Sequence, residues 1–197
     1  MKKTRLGRSA LEVSIYCLGS MTWGTQNTPE EAFAQIDCAL DHGVNFIDTA
    51  EMYPTTPLSA ETAGETESII GQWLERTGRR DDVILATKIV GTGNRTVRPD
   101  GKPISPESLR VALEGSLKRL KTDCIDLYQL HWPNRGSYHF RQNWTYAPKG
   151  EKAEIAELGI ELLAGGEQDG QPRQMLSMIS AFLGLDRIEG RVEVYRN

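Results

Sequence analysis

Four side chains able to move a proton or meet a developing charge stand at the ends of short apolar runs: Asp48, Tyr53, Lys88 and His131. Asp48 closes NFID, and Tyr53 follows it in AEMYP. Lys88 closes VILATK, and His131 closes IDLYQLH. A carboxylate, a phenol, an ammonium and an imidazole are the groups of general acid–base chemistry and of charge stabilisation. Each also has an ordinary structural role: Asp48 as a turn cap, Lys88 as a solvated strand end, His131 as a core histidine, Tyr53 as an amphipathic loop residue. What points to a site is that they recur at the ends of three successive strands, although the pattern alone names no reaction.

The elements that must position these groups alternate along the chain. A small hairpin is expected from 4–6 and 11–13, turning at 7–9, and an apolar run follows at 15–18. Thr28-Pro29-Glu30-Glu31 reads as a capping box with proline in the first helical position. The helix it opens places Ala32, Phe33, Ile36, Ala39 and Leu40 on one face and ends at Gly43. Strand 45–48, helix 66–76, strand 83–87, a helix capped by Ser105-Pro106, and strand 125–130 complete the series. Leu109, Leu113, Leu117 and Leu120 face inward on that last helix. Alternating strand and helix with long crossovers predicts a parallel α/β sheet. Active sites of such sheets lie at the C-terminal ends of the strands, where all four candidate residues fall. The loops 52–65 and 90–103 lie at the same end and are long enough to be functional.

Composition narrows the function class. The chain has 197 residues, 39% hydrophobic and 25% charged, with a net charge of −4. These values fit one soluble domain and leave no basic footprint for nucleic acid or an anionic membrane. Three cysteines, Cys17, Cys38 and Cys124, are expected to be buried reduced thiols and not a disulfide frame or a zinc site. The N-terminal apolar run is broken by Arg8, Ser9 and Glu12 and has the form of neither a signal peptide nor a membrane span. A cytoplasmic location is the expectation.

GVNFIDTAEMYP, GETESIIGQWL, ILATK and IDLYQLHWP, in that order, resemble the aldo-keto reductase superfamily. LGSMTWGTQN and NWTY resemble its Tas-like branch. The resemblance covers about residues 1–148. It implies a (β/α)₈ barrel of the TIM type that reduces aldehydes and ketones with NADPH through an Asp, Tyr, Lys, His tetrad, here Asp48, Tyr53, Lys88 and His131. It further implies that Tyr53 is the general acid, that Lys88 lowers its pKa, that Asp48 pairs with Lys88, and that His131 meets the carbonyl oxygen. Thr22, Trp23 and Asp48 would then face the cofactor, and Trp23 and Trp132 would wall the substrate pocket, core packing being the alternative for both tryptophans. No metal is implied.

A complete barrel of this type takes about 250 residues. Only the first four or so strand–helix units, plus the hairpin, are readable here. Residues 149–197 read as a divergent, mainly helical tail, with helices expected at 151–163 and 173–183 and a strand at 188–195. The family's Ser-Asn pair and 2′-phosphate-binding segment have no visible counterpart. Two readings therefore stand beside each other: a carbonyl reductase, or an inactive barrel fragment that self-associates through exposed strand edges. A hydrolase using Asp48 with His131 is a third, weakened by the lack of a nucleophile or of metal-ligand spacing.

Overall fold

The computed structural model describes residues 1–132 and 134, together with the backbone of three short strands further along the chain. An antiparallel hairpin, β1 (Lys3–Arg5) and β2 (Glu12–Ser14), comes first. Four strands then form one parallel sheet in chain order: β3 (Cys17–Gly19), β4 (Phe46–Asp48), β5 (Ile84–Ile89) and β6 (Leu127–Leu130). This is the expected α/β architecture, a partial barrel of the (β/α)₈ type. The strands differ from expectation by at most two residues at their ends. The one shift that matters chemically is in β5, which runs on to Ile89 and so holds Lys88 inside the strand.

Register decides which side chains meet. Asp48 is paired with Ala86, and Lys88 with Gln129. Because strand side chains alternate between faces, Ala86 and Lys88 point to one side of the sheet and Leu85, Thr87 and Ile89 to the other. The second set lies against the helices. α1 (Pro29–Asp41) starts as the sequence demands: Thr28 caps it, Glu31 completes the capping box, and Pro29 opens the first turn. α2 (Glu65–Thr77) buries Ile69, Ile70, Trp73 and Leu74 and ends at Gly78 in the left-handed conformation. α3 (Pro106–Leu120) is capped by Ser105 and buries Leu109, Leu113 and Leu120. These residues, with Ile36, Ile47, Leu85 and Tyr128, form the main core.

α2 and α3 approach closely at Gly71, where a Cβ would lie 2.2 Å from the Arg119 carbonyl oxygen. Beside that contact Glu67 is fully buried, an acid that the helical pattern did not single out. Thr87 Oγ1 donates to one of its oxygens at 2.6 Å and Arg119 Nε to the other at 2.7 Å. One carboxylate thus joins α2, α3 and β5, and both of its oxygens are satisfied as burial requires.

Several expectations are corrected. Cys17 and Cys38 are exposed and Cys124 is half-buried, because strand β3 lies at the sheet's edge and Cys38 on the outer face of α1. Leu117 is only partly buried. In the tail, β7 (Leu163–Ala164), β8 (Gln174–Leu176) and β9 (Val194–Tyr195) form an antiparallel sheet. Leu163 and Gln174–Leu176 thus lie in strands where helices were expected. The strand expected at 188–195 is met at Val194–Tyr195. The remaining residues of the tail expectations, and the NWTY segment, lie outside the described residues.

Candidate active site

Asp48 ends β4 and Lys88 stands one strand over on β5, at the level the parallel register allows. Lys88 Nζ donates to Asp48 Oδ2 and to the Thr49 carbonyl oxygen, both at 2.7 Å. Its side chain is 11% exposed and that of Asp48 29%, so the pair sits at the boundary between core and solvent. The other carboxylate oxygen, Oδ1, accepts from Gln129 Nε2 at 3.1 Å. Gln129 comes from β6 and was not among the residues the sequence singled out.

Tyr53 follows in the loop after β4. Its backbone N–H donates to Ala50, and its carbonyl accepts from Gly64 and Thr66 at the start of α2, so the loop is held at both ends. Lys88 Nζ lies 4.9 Å from the centre of the Tyr53 ring. The His131 ring meets it edge-on at 5.7 Å, and Trp132 lies 5.1 Å beyond His131. The expected tetrad therefore converges in space.

Its electrostatics differ from expectation. Burial, followed by the negative charge of Asp48, pushes the Tyr53 phenol up to about 12. The direction is opposite to the lowering by Lys88 that the family resemblance implies. The Lys88 ammonium is held by Asp48 and a carbonyl oxygen, and burial together with the Asp48 charge prevails over it and disfavours the phenolate.

The loops around these strand ends are tied to one another. Glu51 Oε1 accepts from the Val90 backbone N–H and from Arg98 Nη2, both at 2.7 Å, and Arg98 Nη1 donates to the Val90 carbonyl at 2.7 Å. Burial raises the Glu51 carboxyl above its ordinary range, against the lowering pull of Arg98. Asn134 bonds the backbone of Ile104 through both ends of its amide. Trp132 Nε1 donates to the Thr92 carbonyl, and its indole lies over Gly91, where a Cβ would come within 2.2 Å of the ring. Only glycine leaves room for that ring. The loop after β5 is thereby tied to the loops after β4 and β6. Isolated acids, arginines and asparagines in loops carry no periodic signal, which is why the sequence did not mark them.

Thr22 and Trp23 sit differently from one another. Thr22 is half-buried, with Oγ1 donating to Asn27 Oδ1 at 2.8 Å. Trp23 is 1% exposed, belongs to the main core, and donates from Nε1 to Gln35 on α1. Core packing, the alternative for this tryptophan, is what the burial shows. Among the described residues no group of three or more His, Cys, Asp or Glu side chains could hold a metal ion. Nor is any described helix long and apolar enough to cross a membrane.

A parallel sheet presenting an Asp–Lys pair, a tyrosine and a histidine at its C-terminal edge defines the class, and comparison with known proteins agrees. The profile of the Aldo/keto reductase family matches residues 16–173, well beyond the stretch that the motifs alone covered. The chain belongs to this family. It is 44% identical over 151 residues to "Protein tas" of Escherichia coli K12, which covers 74% of this chain and 43% of that protein. It is 45% identical over 139 residues to "Uncharacterized oxidoreductase YrpG" of Bacillus subtilis, covering 68% and 41% respectively. The chain thus spans less than half the length of these curated relatives. Among solved structures it resembles the aldo-keto reductase AKR11C1 from Bacillus halodurans in its holo form, with a TM-score of 0.52 and 38% identity over 66% of this chain and 40% of that one. The thermostable aldo-keto reductase Tm1743, in complex with the inhibitor epalrestat, gives a TM-score of 0.51 at 29% identity over 81% and 51%.

Proposed function

We propose that the site reduces aldehyde or ketone carbonyls, with NADPH as hydride source and Tyr53 as general acid. The observation that carries this reading is the convergence of Asp48, Tyr53, Lys88 and His131 at one strand-end opening. The donor set fits a carbonyl held beside the reacting end of such a cofactor, because hydrogen-bond donors gather where the substrate oxygen must gain negative charge and a proton. Bound there, the nicotinamide would supply the hydride.

The chain's own residues do the rest. A phenol held up to about 12 is fully protonated at neutral pH, so it stays loaded until a more basic oxygen develops beside it. Lys88, fixed by Asp48, keeps a positive charge next to the ring as that proton leaves. His131 orients the carbonyl oxygen, and Trp132 forms an apolar wall. Thr22 and Asp48 are assigned to the cofactor's nicotinamide side. The choice of NADPH over NADH rests on the family alone. We assign residues 1–148 to the barrel part and 149–197 to a divergent tail, in a cytoplasmic protein.

A second reading is supported by the β3 edge. Ile15 and Met21 are each 49% exposed and Tyr16 65%, beside a strand whose outer edge pairs with no other described strand. An apolar, unpaired edge favours self-association, with or without turnover.

The test is titration of the purified chain with NADPH, followed by tryptophan quenching and nicotinamide emission. Carbonyl substrates come next, with Tyr53→Phe as control. Micromolar binding with turnover lost in Tyr53→Phe supports the reading. A folded chain that binds no NADPH refutes it and leaves self-association, read by sedimentation, as the surviving alternative.

A further inference from the structure

We propose that Gln129 is a positioning residue of this site, holding the Asp48 carboxylate so that its other oxygen stays on Lys88. The inference rests on the carbonyl-reductase reading for its consequence, though not for its geometry. Gln129 and His131 are two residues apart at the end of β6, so their side chains share the face that looks into the opening. The register places Gln129 opposite Lys88. An ionised carboxylate only accepts, so the amide must present its N–H₂ side to Asp48, as it does at 3.1 Å.

The need for such a residue follows from the torsions involved. The terminal torsion of an aspartate is broad and nearly two-fold, so one contact does not fix its plane. Lysine is a point charge on a flexible stem and imposes no plane either. With Lys88 on Oδ2 and Gln129 on Oδ1, the carboxylate is pinned from two strands, β5 and β6. Lys88 is then held with its Nζ 4.9 Å from the centre of the Tyr53 ring. The strand end QLH therefore supplies two groups to the site, one serving the ion pair and one the phenol.

The test compares the full 197-residue chain with Gln129→Met, of similar length and unable to donate, and with Gln129→Glu. Trace acetylation by an N-hydroxysuccinimide ester is read at Lys88 by peptide mass spectrometry. The exposed Lys102 serves as internal reference. The expected result is a folded Gln129→Met chain whose Lys88 reacts several-fold faster relative to Lys102. The Glu variant is also looser at neutral pH, and it returns toward the parent as pH falls, because a protonated carboxyl regains the donated hydrogen bond. In turnover, Gln129→Met lowers kcat about tenfold with the KM for NADPH nearly unchanged, and Gln129→Glu recovers only at the acid end of its pH profile. A folded Gln129→Met chain with the parent's labelling ratio overturns the proposal. Failure of the parent chain to turn over carbonyls refutes the functional reading but leaves the labelling result to decide the role of Gln129. If Gln129→Met does not fold, the Glu variant's labelling across pH decides it in the same way.

Discussion

Replacing Glu67 with leucine removes the acceptor that joins α2, α3 and β5. In the parent chain this fully buried carboxylate takes Thr87 Oγ1 at 2.6 Å and Arg119 Nε at 2.7 Å. Leucine leaves the Thr87 hydroxyl buried with its donor unmet, at roughly 1–3 kcal/mol. It also leaves the Arg119 guanidinium without its counter-charge. Breaking a buried pair from one side costs about 3–5 kcal/mol, but the Arg119 side chain is 31% exposed and can turn to water, which reduces that share. The combined loss is therefore about 3–4 kcal/mol, a large part of a typical domain's stability. Glu67→Gln keeps both contacts, because the amide oxygen can face Arg119 and the threonine hydroxyl can accept, so about 1 kcal/mol is expected. The double variant Glu67→Leu with Arg119→Met removes the stranded charge and should recover part of the loss. Urea unfolding followed by circular dichroism measures all four chains. A Glu67→Leu variant within 1 kcal/mol of the parent, or a double variant no more stable than Glu67→Leu alone, would refute the reasoning.

The remaining expectations concern titration, packing and caps. Tyr53 and Tyr128 are both raised above the ordinary phenol value, chiefly by burial. For groups raised on folding, the stabilisation is whole below about pH 10 and is lost as pH climbs through the folded values. Urea midpoints should thus fall between pH 10 and 12, less steeply in Tyr53→Phe; an unchanged slope would argue against a buried phenol. The Tyr128 hydroxyl is fully buried and has no hydrogen-bond partner among the described residues. Tyr128→Phe should accordingly be neutral or stabilising by up to about 1 kcal/mol, and clear destabilisation would reveal a bridging water. Gly71→Ala should cost about 1–3 kcal/mol by forcing α2 from α3; a melting temperature equal to the parent's would mean the helices slide apart freely. Thr28→Ala should cost about 1 kcal/mol, visible as a small fall in the urea midpoint, since it removes the cap on α1.

The element order, the caps at Thr28 and Ser105, and the placing of four chemically capable residues at or near strand ends were legible in the amino-acid sequence. Those features depend on local physics: the period of apolar residues, the hydrogen-bonding reach of Thr28 and Ser105, and the alternation of strand and helix. It also carried the family, because the motifs around Asp48, Tyr53, Lys88 and His131 stand in register with the strands. That Trp23 packs in the core, that Glu67 and Glu51 are buried acids with partners, and that Gln129 meets Asp48 across 81 positions of chain came from the folded arrangement. Sequence periodicity fixes which face a residue takes, but not which residue of another strand stands beside it. The sign of the Tyr53 shift was hidden for the same reason. It depends on whether Lys88 spends its charge on the phenol or on Asp48, and that is set by distances that exist only once β4, β5 and β6 are paired.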